Sequence, residues 1–363
     1  MRGSAAGVSI ALAWQRLVRG EGRMGPKAKS KKKEPEPSDN GVTRPMLVAN
    51  YVKMCRSIGV PVNPSMSDAL KGKGDEAEEH LTQLIVDDEF GPLGSGGVRA
   101  MACAVLGAVP HSITAAYMHL STIRIWNNPI GDEGASAIAS ILCEGNGLVN
   151  VVYVELMDCN IGVEGCKMLS DALYSNKKSP LQTLKLNCNN GIGDAGVYEL
   201  CQGLFTNTTL KQLHLEFCSI TKEGAVVLAQ LVSMAKSALH SLSLQGNTIG
   251  DEGLLNLSLG LKRARSLTKL NLSDNAIRKD PEALTAFKDA IEHCKTLTNI
   301  YFSFNLIDVE GAEILLPLME QDDGRIKAFE VDPSLPPEIF KKLNRSEKGE
   351  GKKKKGKKKG KKK

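Results

Sequence analysis

The apolar residues of this chain fall into one recurring phrase, Leu-x-x-Leu-x-Leu-x-x-Asn/Cys-x-Ile. It reads as Leu120/Ile123/Ile125/Asn128/Ile130, as Val151/Val154/Leu156/Cys159/Ile161, and as Leu181/Leu184/Leu186/Asn189 with Ile192 displaced by one inserted residue. It returns as Leu210/Leu213/Leu215/Cys218/Ile220, Leu239/Leu242/Leu244/Asn247/Ile249, Leu267/Leu270/Leu272/Asn275/Ile277 and Leu297/Ile300/Phe302/Asn305/Ile307. Successive copies start 31, 30, 29, 29, 28 and 30 residues apart, which marks an array whose units each bury their apolar face against their neighbours. An eighth, degenerate copy precedes them at Leu81/Leu84/Val86, where a Gly-rich turn from Gly91 to Gly97 replaces the Asn-x-Ile step.

Residues four and six of the phrase point the same way on a short strand, because side chains alternate with period two, and these face the core. The Asn/Cys residue lies where the chain leaves the strand, so a buried side chain there serves backbone groups that no neighbouring strand reaches. A Gly-Asp-Glu-Gly type step follows, at Gly131–Gly134, Gly162–Gly165, Gly193–Gly196, Thr221–Gly224 and Gly250–Gly253, and leads into amphipathic runs such as Cys166–Tyr174. Acidic residues at the positive end of a helix dipole and Gly at a tight entry predict a helix start there. In the sixth copy Asp280 as N-cap and Pro281 in the first helical position serve the same purpose.

Strand-then-helix units of 28 to 31 residues resemble the ribonuclease-inhibitor subtype of the leucine-rich repeat family. The resemblance implies an α/β horseshoe solenoid over residues 81–331, with a parallel sheet on the concave face and helices on the convex face. Residues 44–80, with the helix-like stretch Met46–Ile58, are expected to form a helical N-terminal cap, and residues 332–346 a C-terminal cap helix beginning at Pro337.

Charge changes the picture at the ends. Residues 1–43 carry 9 Lys/Arg against 4 Asp/Glu, residues 346–363 carry 11 against 2, and the remainder carries 27 against 35. The net +6 is therefore an acidic body between basic segments. Residues 1–43 and 347–363 cannot bury apolar surface and are expected to be disordered. Lys352, Lys353, Lys354, Lys355, Lys357, Lys358, Lys359, Lys361, Lys362 and Lys363 form a run that attracts polyanions in a salt-dependent way: tubulin's acidic tails, anionic lipid or nonspecific nucleic acid. Without aromatics between them they lack a means of stacking on bases. The first 23 residues read as upstream sequence before a second start at Met24, as a transit peptide, or as a functional arm. No run approaches the 18 consecutive apolar residues of a membrane-spanning helix. The nine Cys, with no Cys-x-x-Cys pair, are expected to be reduced thiols of a cytosolic protein.

Catalytic patterns are missing: there is no phosphate-binding Gly-rich loop ending in Lys-Ser/Thr, no Gly-x-Ser-x-Gly and no His-Glu-x-x-His, so neither enzyme activity nor a cofactor is expected. Gly94-Ser95-Gly96-Gly97 lacks the Lys of a phosphate cradle and reads as a loop. Ran GTPase-activating proteins use the same repeat subtype, and by that resemblance Arg124 or Arg278 would be the arginine to consider, although this chain ends in lysines where that family has an acidic tail.

Strand residues between the core leucines line the face available to a partner. Arg124, Trp126, Tyr153, Glu155, Met157, Lys185, His214 and Glu216 are the expected protein-binding residues. Trp126, Tyr153 and Met157 on neighbouring strands have the size and chemistry of binding hot spots. Either they are exposed for docking or the N-terminal cap folds over them; Phe217, beside the turn, is expected to be partly buried. The Met-Gly-Pro-Lys-Ala-Lys stretch, the Tyr51-x-x-x-Cys55 helix with its Pro-Val-Asn-Pro step and the Lys/Gly end also resemble ciliary and flagellar leucine-rich repeat proteins of the axoneme. That resemblance implies a cytoplasmic, axonemal scaffold; a nuclear or nucleolar scaffold that uses the lysines as an address or RNA tether is the alternative.

Overall fold

The computed structural model describes residues 41–72, 80–89, 91–109, 112–113, 115–144, 149–176, 179–320 and 324–346, all within one compact unit, Asn40–Lys363. The Lys352–Lys363 run and the basic stretch before residue 41 lie outside the described residues.

Helices α1 (Arg44–Ile58) and α2 (Pro64–Lys71) come first, each with Pro in its first turn and an N-cap side chain, Thr43 and Asn63, that accepts a hydrogen bond from a free helical N–H. Strand β1 (Gln83–Val86) leads into α3 (Gly94–Val105), and a short antiparallel pair, β2 (Ala108–Val109) and β3 (Ser112–Ile113), follows. From there strand and helix alternate: β4 (Thr122–Trp126), α4 (Gly131–Glu144), β5 (Tyr153–Met157), α5 (Val163–Ser175), β6 (Thr183–Lys185), α6 (Gly193–Leu204), β7 (Gln212–His214), α7 (Lys222–Ser233), β8 (Ser241–Ser243), α8 (Gly250–Leu261), β9 (Lys269–Asn271), α9 (Pro281–His293) and β10 (Asn299–Tyr301). The last elements are α10 (Val309–Leu315), α11 (Pro317–Glu320), β11 (Ala328–Glu330) and α12 (Pro337–Leu343).

Among the described residues β1 and β4 to β11 form one open parallel sheet of nine strands in chain order, and successive helices pack on one another behind it. The seven strands β4 to β10 are the seven copies of the phrase, and β1 is the degenerate eighth. The phrase leucines face the core: Leu184, Leu186, Leu213, Leu215, Leu270 and Leu272 are fully buried, each contributing roughly 1.5–3 kcal/mol of apolar burial.

The Asn/Cys residue works as expected. The Asn189 Oδ1 accepts the N–H groups of Cys159 and Ile161, both at 3.0 Å, while its Nδ2 donates to the carbonyls of Leu156 (2.8 Å) and Leu186 (2.9 Å). Asn247 and Asn305 repeat this bridge, and where Cys stands instead, the Cys159 and Cys218 thiols donate to the carbonyls of Ile125 and Leu186. The helix-start acids do more than complement a dipole. Asp132 accepts from the Gly162 N–H (2.6 Å), Asp194 from Thr221 (2.8 Å) and Gly224 (2.9 Å), and Asp251 from Arg278 (2.7 Å), so each ties its turn to the next repeat. Asp280 caps α9 through the Ala283 N–H at 2.8 Å. Gly94–Gly97 is a correction: it is no loop but the first turn of α3, whose small residues admit Leu93 and Val60 so closely that a Cβ on Gly97 or Gly96 would clash with them.

Candidate protein-binding face

The parallel register sets the outward residues of the strands in rows. The central row runs Ile85, Arg124, Glu155, Lys185, His214, Ser243, Asn271, Tyr301 and Glu330 across β1 and β4 to β11. Its first part alternates in charge between adjacent strands, the favourable cross-strand arrangement. Below it Tyr153 stands between Thr122 and Thr183, and above it Trp126 pairs with Met157.

Tyr153 organises the N-terminal half of this face. Arg124 lies over its ring with Cζ 4.8 Å from the centroid, Lys185 reaches it from the other side with Nζ at 5.5 Å, and its hydroxyl donates to Glu155 Oε2 at 2.6 Å. Arg124 also approaches Glu155 to 3.6 Å, an ion pair beyond hydrogen-bond range. Two cations and one carboxylate thus converge on one aromatic ring, a cluster worth about 0.5–1 kcal/mol per cation–π contact at an exposed site. Of the two arginines weighed for an activating role, Arg124 is held in this cluster, and Arg278 stands exposed in the turn before α9 with its backbone N–H on Asp251.

Glu216 organises the next part. Its carboxylate accepts from Asn187 Nδ2 (2.9 Å) and the Ser243 hydroxyl (2.6 Å) and faces His214 Nδ1 at 3.4 Å. The His214 hydrogen bond holds the Glu216 carboxyl below the usual carboxylate range, helped by Ser243 and Lys185 and opposed by burial.

All eight expected binding residues stand on this one face, and all eight are half-buried, so the N-terminal helices do not seal off Trp126, Tyr153 and Met157. The indole N–H of Trp126 is covered and has no acceptor among the described residues. Phe217 is a correction: its side chain is 41% exposed, and its ring lies against Gly246 of the next repeat, where a Cβ would fall 2.1 Å from it. The residue before the Asn/Cys position is left-handed in every secure repeat (Asn127, Asp158, Cys188, Phe217, Gly246, Asp274 and Phe304, φ between 50° and 71°). Asn, Asp and Gly tolerate this and Phe does not, so Phe217 and the 64% exposed Phe304 hold apolar rings at the edge of the face at a backbone cost. The phrase marks only its Leu, Asn and Ile positions, so this signal was absent from the sequence reading. Among the described residues no group of His, Cys, Asp and Glu is placed to hold a metal ion, and no helix is long and apolar enough to cross a membrane.

The leucine-rich repeat family model matches residues 118–139, 148–170, 177–201, 206–229, 237–258 and 263–280. The chain is a leucine-rich repeat protein of the ribonuclease-inhibitor-like type. It is 32% identical over 194 residues to the ribonuclease inhibitor of Sus scrofa, an alignment covering 48% of this chain and 41% of that protein. It is 26% identical over 227 residues to NACHT, LRR and PYD domains-containing protein 14 of Mus musculus, covering 62% of this chain and 22% of that one. The leucine-rich repeat chain thus spans less than half the length of these curated relatives. Among solved structures, the tropomodulin C-terminal domain of Caenorhabditis elegans aligns with 45% of this chain and 94% of its own at 18% identity and a TM-score of 0.38.

Proposed function

We propose that this leucine-rich repeat chain is a non-enzymatic scaffold whose concave face holds a protein partner while its lysine-rich ends tether the assembly to an acidic surface. The observation that carries the first half is the Tyr153 cluster. Arg124, Glu155 and Lys185 converge on one half-buried ring beside Trp126 and Met157, and charged groups around rigid aromatics are the composition of binding hot spots. A partner carboxylate that reached Arg124 and Lys185 together would compete with Glu155 for them, which gives the face a means of selection.

The tether is supported by the composition of Lys352–Lys363, and the axonemal setting by the resemblance of the N-terminal stretch and the Lys/Gly end to ciliary proteins. A microtubule, with its acidic tubulin tails, is the proposed acidic surface, and the two weak sites would reinforce each other by avidity. Co-sedimentation with polymerised microtubules at low and moderate salt tests this, using the full chain, a chain lacking residues 347–363, and tubulin stripped of its acidic tails. Salt-sensitive pelleting that is lost with either deletion is expected; no pelleting in any condition would contradict the tether and turn attention to nuclear partners.

A further inference from the structure

The acidic body of the chain conceals a sorting of charge between its two edges. On the edge where strands lead into helices, acids occur in each turn: Asp132 and Glu133, Glu164, Asp194, Glu223, Asp251 and Glu252, Asp308 and Glu310. On the opposite edge, where helices lead into strands, the four successive turns 205–211, 234–240, 262–268 and 293–298 contain no Asp or Glu. They carry instead Lys211, Lys236, Lys262, Arg263, Arg265 and Lys295, every one exposed. Over these four repeats the charge differs in sign between the two edges, and a net figure hides it.

The cations concentrate at one place. A cleft of about 670 Å³ opens between the end of α8 and the end of α9, and Lys262, Arg263, Arg265, His293 and Lys295 line it together with Thr296. Among the described residues none of the four Lys and Arg side chains has an ion-pair partner, and the nearby acids Asp289 and Glu292 are already paired with Lys288 at 3.4 Å and 3.9 Å. A basic residue at a helix C-terminus complements the dipole, which explains Lys262 and His293. It does not explain Arg265 and Lys295, which lie beyond the helix ends in the turns. Four like charges around one opening raise the free energy of the empty protein, and an anion relieves it.

We propose that this rim cleft is a second binding site, separate from the concave face, and that it takes a carboxylate-rich segment of a partner polypeptide. Charge selects an anion. Arg263 and Arg265 offer planar forks that match carboxylate and phosphate alike, and what favours a peptide over single-stranded nucleic acid is that no Phe, Tyr or Trp stands in the cleft to stack on a base. The site requires nothing of Tyr153 or its neighbours, so it stands or falls independently of the concave face.

The test follows a short fluorescein-labelled polyglutamate peptide by fluorescence anisotropy, on the full chain and, because the Lys352–Lys363 run also attracts polyanions, with each variant repeated in a chain lacking residues 347–363, where the loss is read. R263E/R265E/K295E is compared with K222E/R278E/K279E, which makes the same change in net charge on the acidic edge and leaves the lysine run untouched. Reversing three charges at the contact is expected to weaken the peptide roughly tenfold or more, and the opposite-edge variant to weaken it far less. R263Q/R265Q/K295Q gives a milder loss and replaces the reversal variant should that one melt early. Carbodiimide coupling of the peptide should mark Lys262 and Lys295 above Lys222 and Lys279. Equal losses in the two reversal variants would overturn the site, leaving only long-range charge. Tighter, cleft-dependent binding of a single-stranded oligonucleotide of matched charge would overturn the assignment to a polypeptide.

Discussion

The Glu216 carboxylate in the fourth repeat accepts the Ser243 hydroxyl of the fifth repeat at 2.6 Å, and the same carboxylate accepts Asn187 of the third at 2.9 Å. One acidic side chain therefore ties three consecutive repeats together on the face proposed to bind a partner. The His214 hydrogen bond keeps its carboxyl below the usual range, and for a group depressed by folding the stabilisation is present above the unfolded-state pKa and lost as pH falls through the folded value. Glu216→Gln should cost about 1 kcal/mol at neutral pH. Urea unfolding across a pH series should show that difference shrinking as the carboxylate range is crossed downward; a constant difference would contradict the charge-based account of the bridge.

The asparagine ladder is not uniform, and the exception is informative. Asn189 uses both ends of its amide, whereas the Oδ1 of buried Asn275 accepts nothing among the described residues and only its Nδ2 is engaged, with Leu244 at 2.9 Å and Ser273 at 3.0 Å. Asn189→Ala should cost roughly 3 kcal/mol, because it strands two buried N–H groups as well as carbonyls, and Asn275→Ala about half of that. Chemical denaturation of the two variants measures the gap, and equal costs would mean that the accepted N–H bonds contribute little.

Two helix glycines hold the convex layer together. A Cβ on Gly203 would lie 2.2 Å from the Ser170 carbonyl oxygen, and one on Gly260 2.2 Å from that of Ala229. Helix propensity alone favours Ala by about 1 kcal/mol, but overpacking against a rigid neighbouring backbone costs about 1–3 kcal/mol. Net destabilisation is therefore expected for Gly203→Ala and Gly260→Ala, read as a lower Tm by calorimetry, and a raised Tm would show that the helices slide apart cheaply.

Much of this was legible in the sequence and some of it was not, for physical reasons. Leu184 and Leu186 announce a strand because their spacing has only one solution on a pleated chain, and Asn189 announces the turn beside them. The inter-repeat role of Asp132, Asp194 and Asp251 was hidden, since an acid at a helix start satisfies the dipole argument whether or not it reaches the next turn. Gly94–Gly97 read as a loop because glycine lowers helix propensity, and tertiary packing against Leu93 and Val60 overrode it. Convergence of Arg124, Glu155 and Lys185 on Tyr153 needs the strand register, which spacing along one chain supplies only after the sheet order is known.

The cysteines divide by burial. Burial pushes the thiols of Cys159, Cys201 and Cys218 up to about 12, and Cys55 and Cys166 upward as well, so at neutral pH they carry almost no thiolate. A thiol reagent should label half-buried Cys103 and Cys143 first in the folded protein, half-buried Cys188, whose thiol burial also pushes upward, after them, and the six buried cysteines only on unfolding. Peptide mapping after timed alkylation checks the order, and early labelling of Cys159 or Cys218 would mean that the strand-end turns open readily.

Whether the concave face holds a partner is tested most directly by quantitative capture from an extract of ciliated cells. The wild-type chain is compared with Trp126→Ala/Tyr153→Ala and with Tyr198→Ala/Leu259→Ala, which removes exposed apolar side chains from α6 and α8 on the convex layer. The expected result is a defined set of proteins lost from the concave variant, with a drop of about 2 kcal/mol or more in the affinity of a purified member, and retained by the convex variant. An identical set on all three chains, or loss confined to the convex variant, would contradict binding through the Tyr153 cluster.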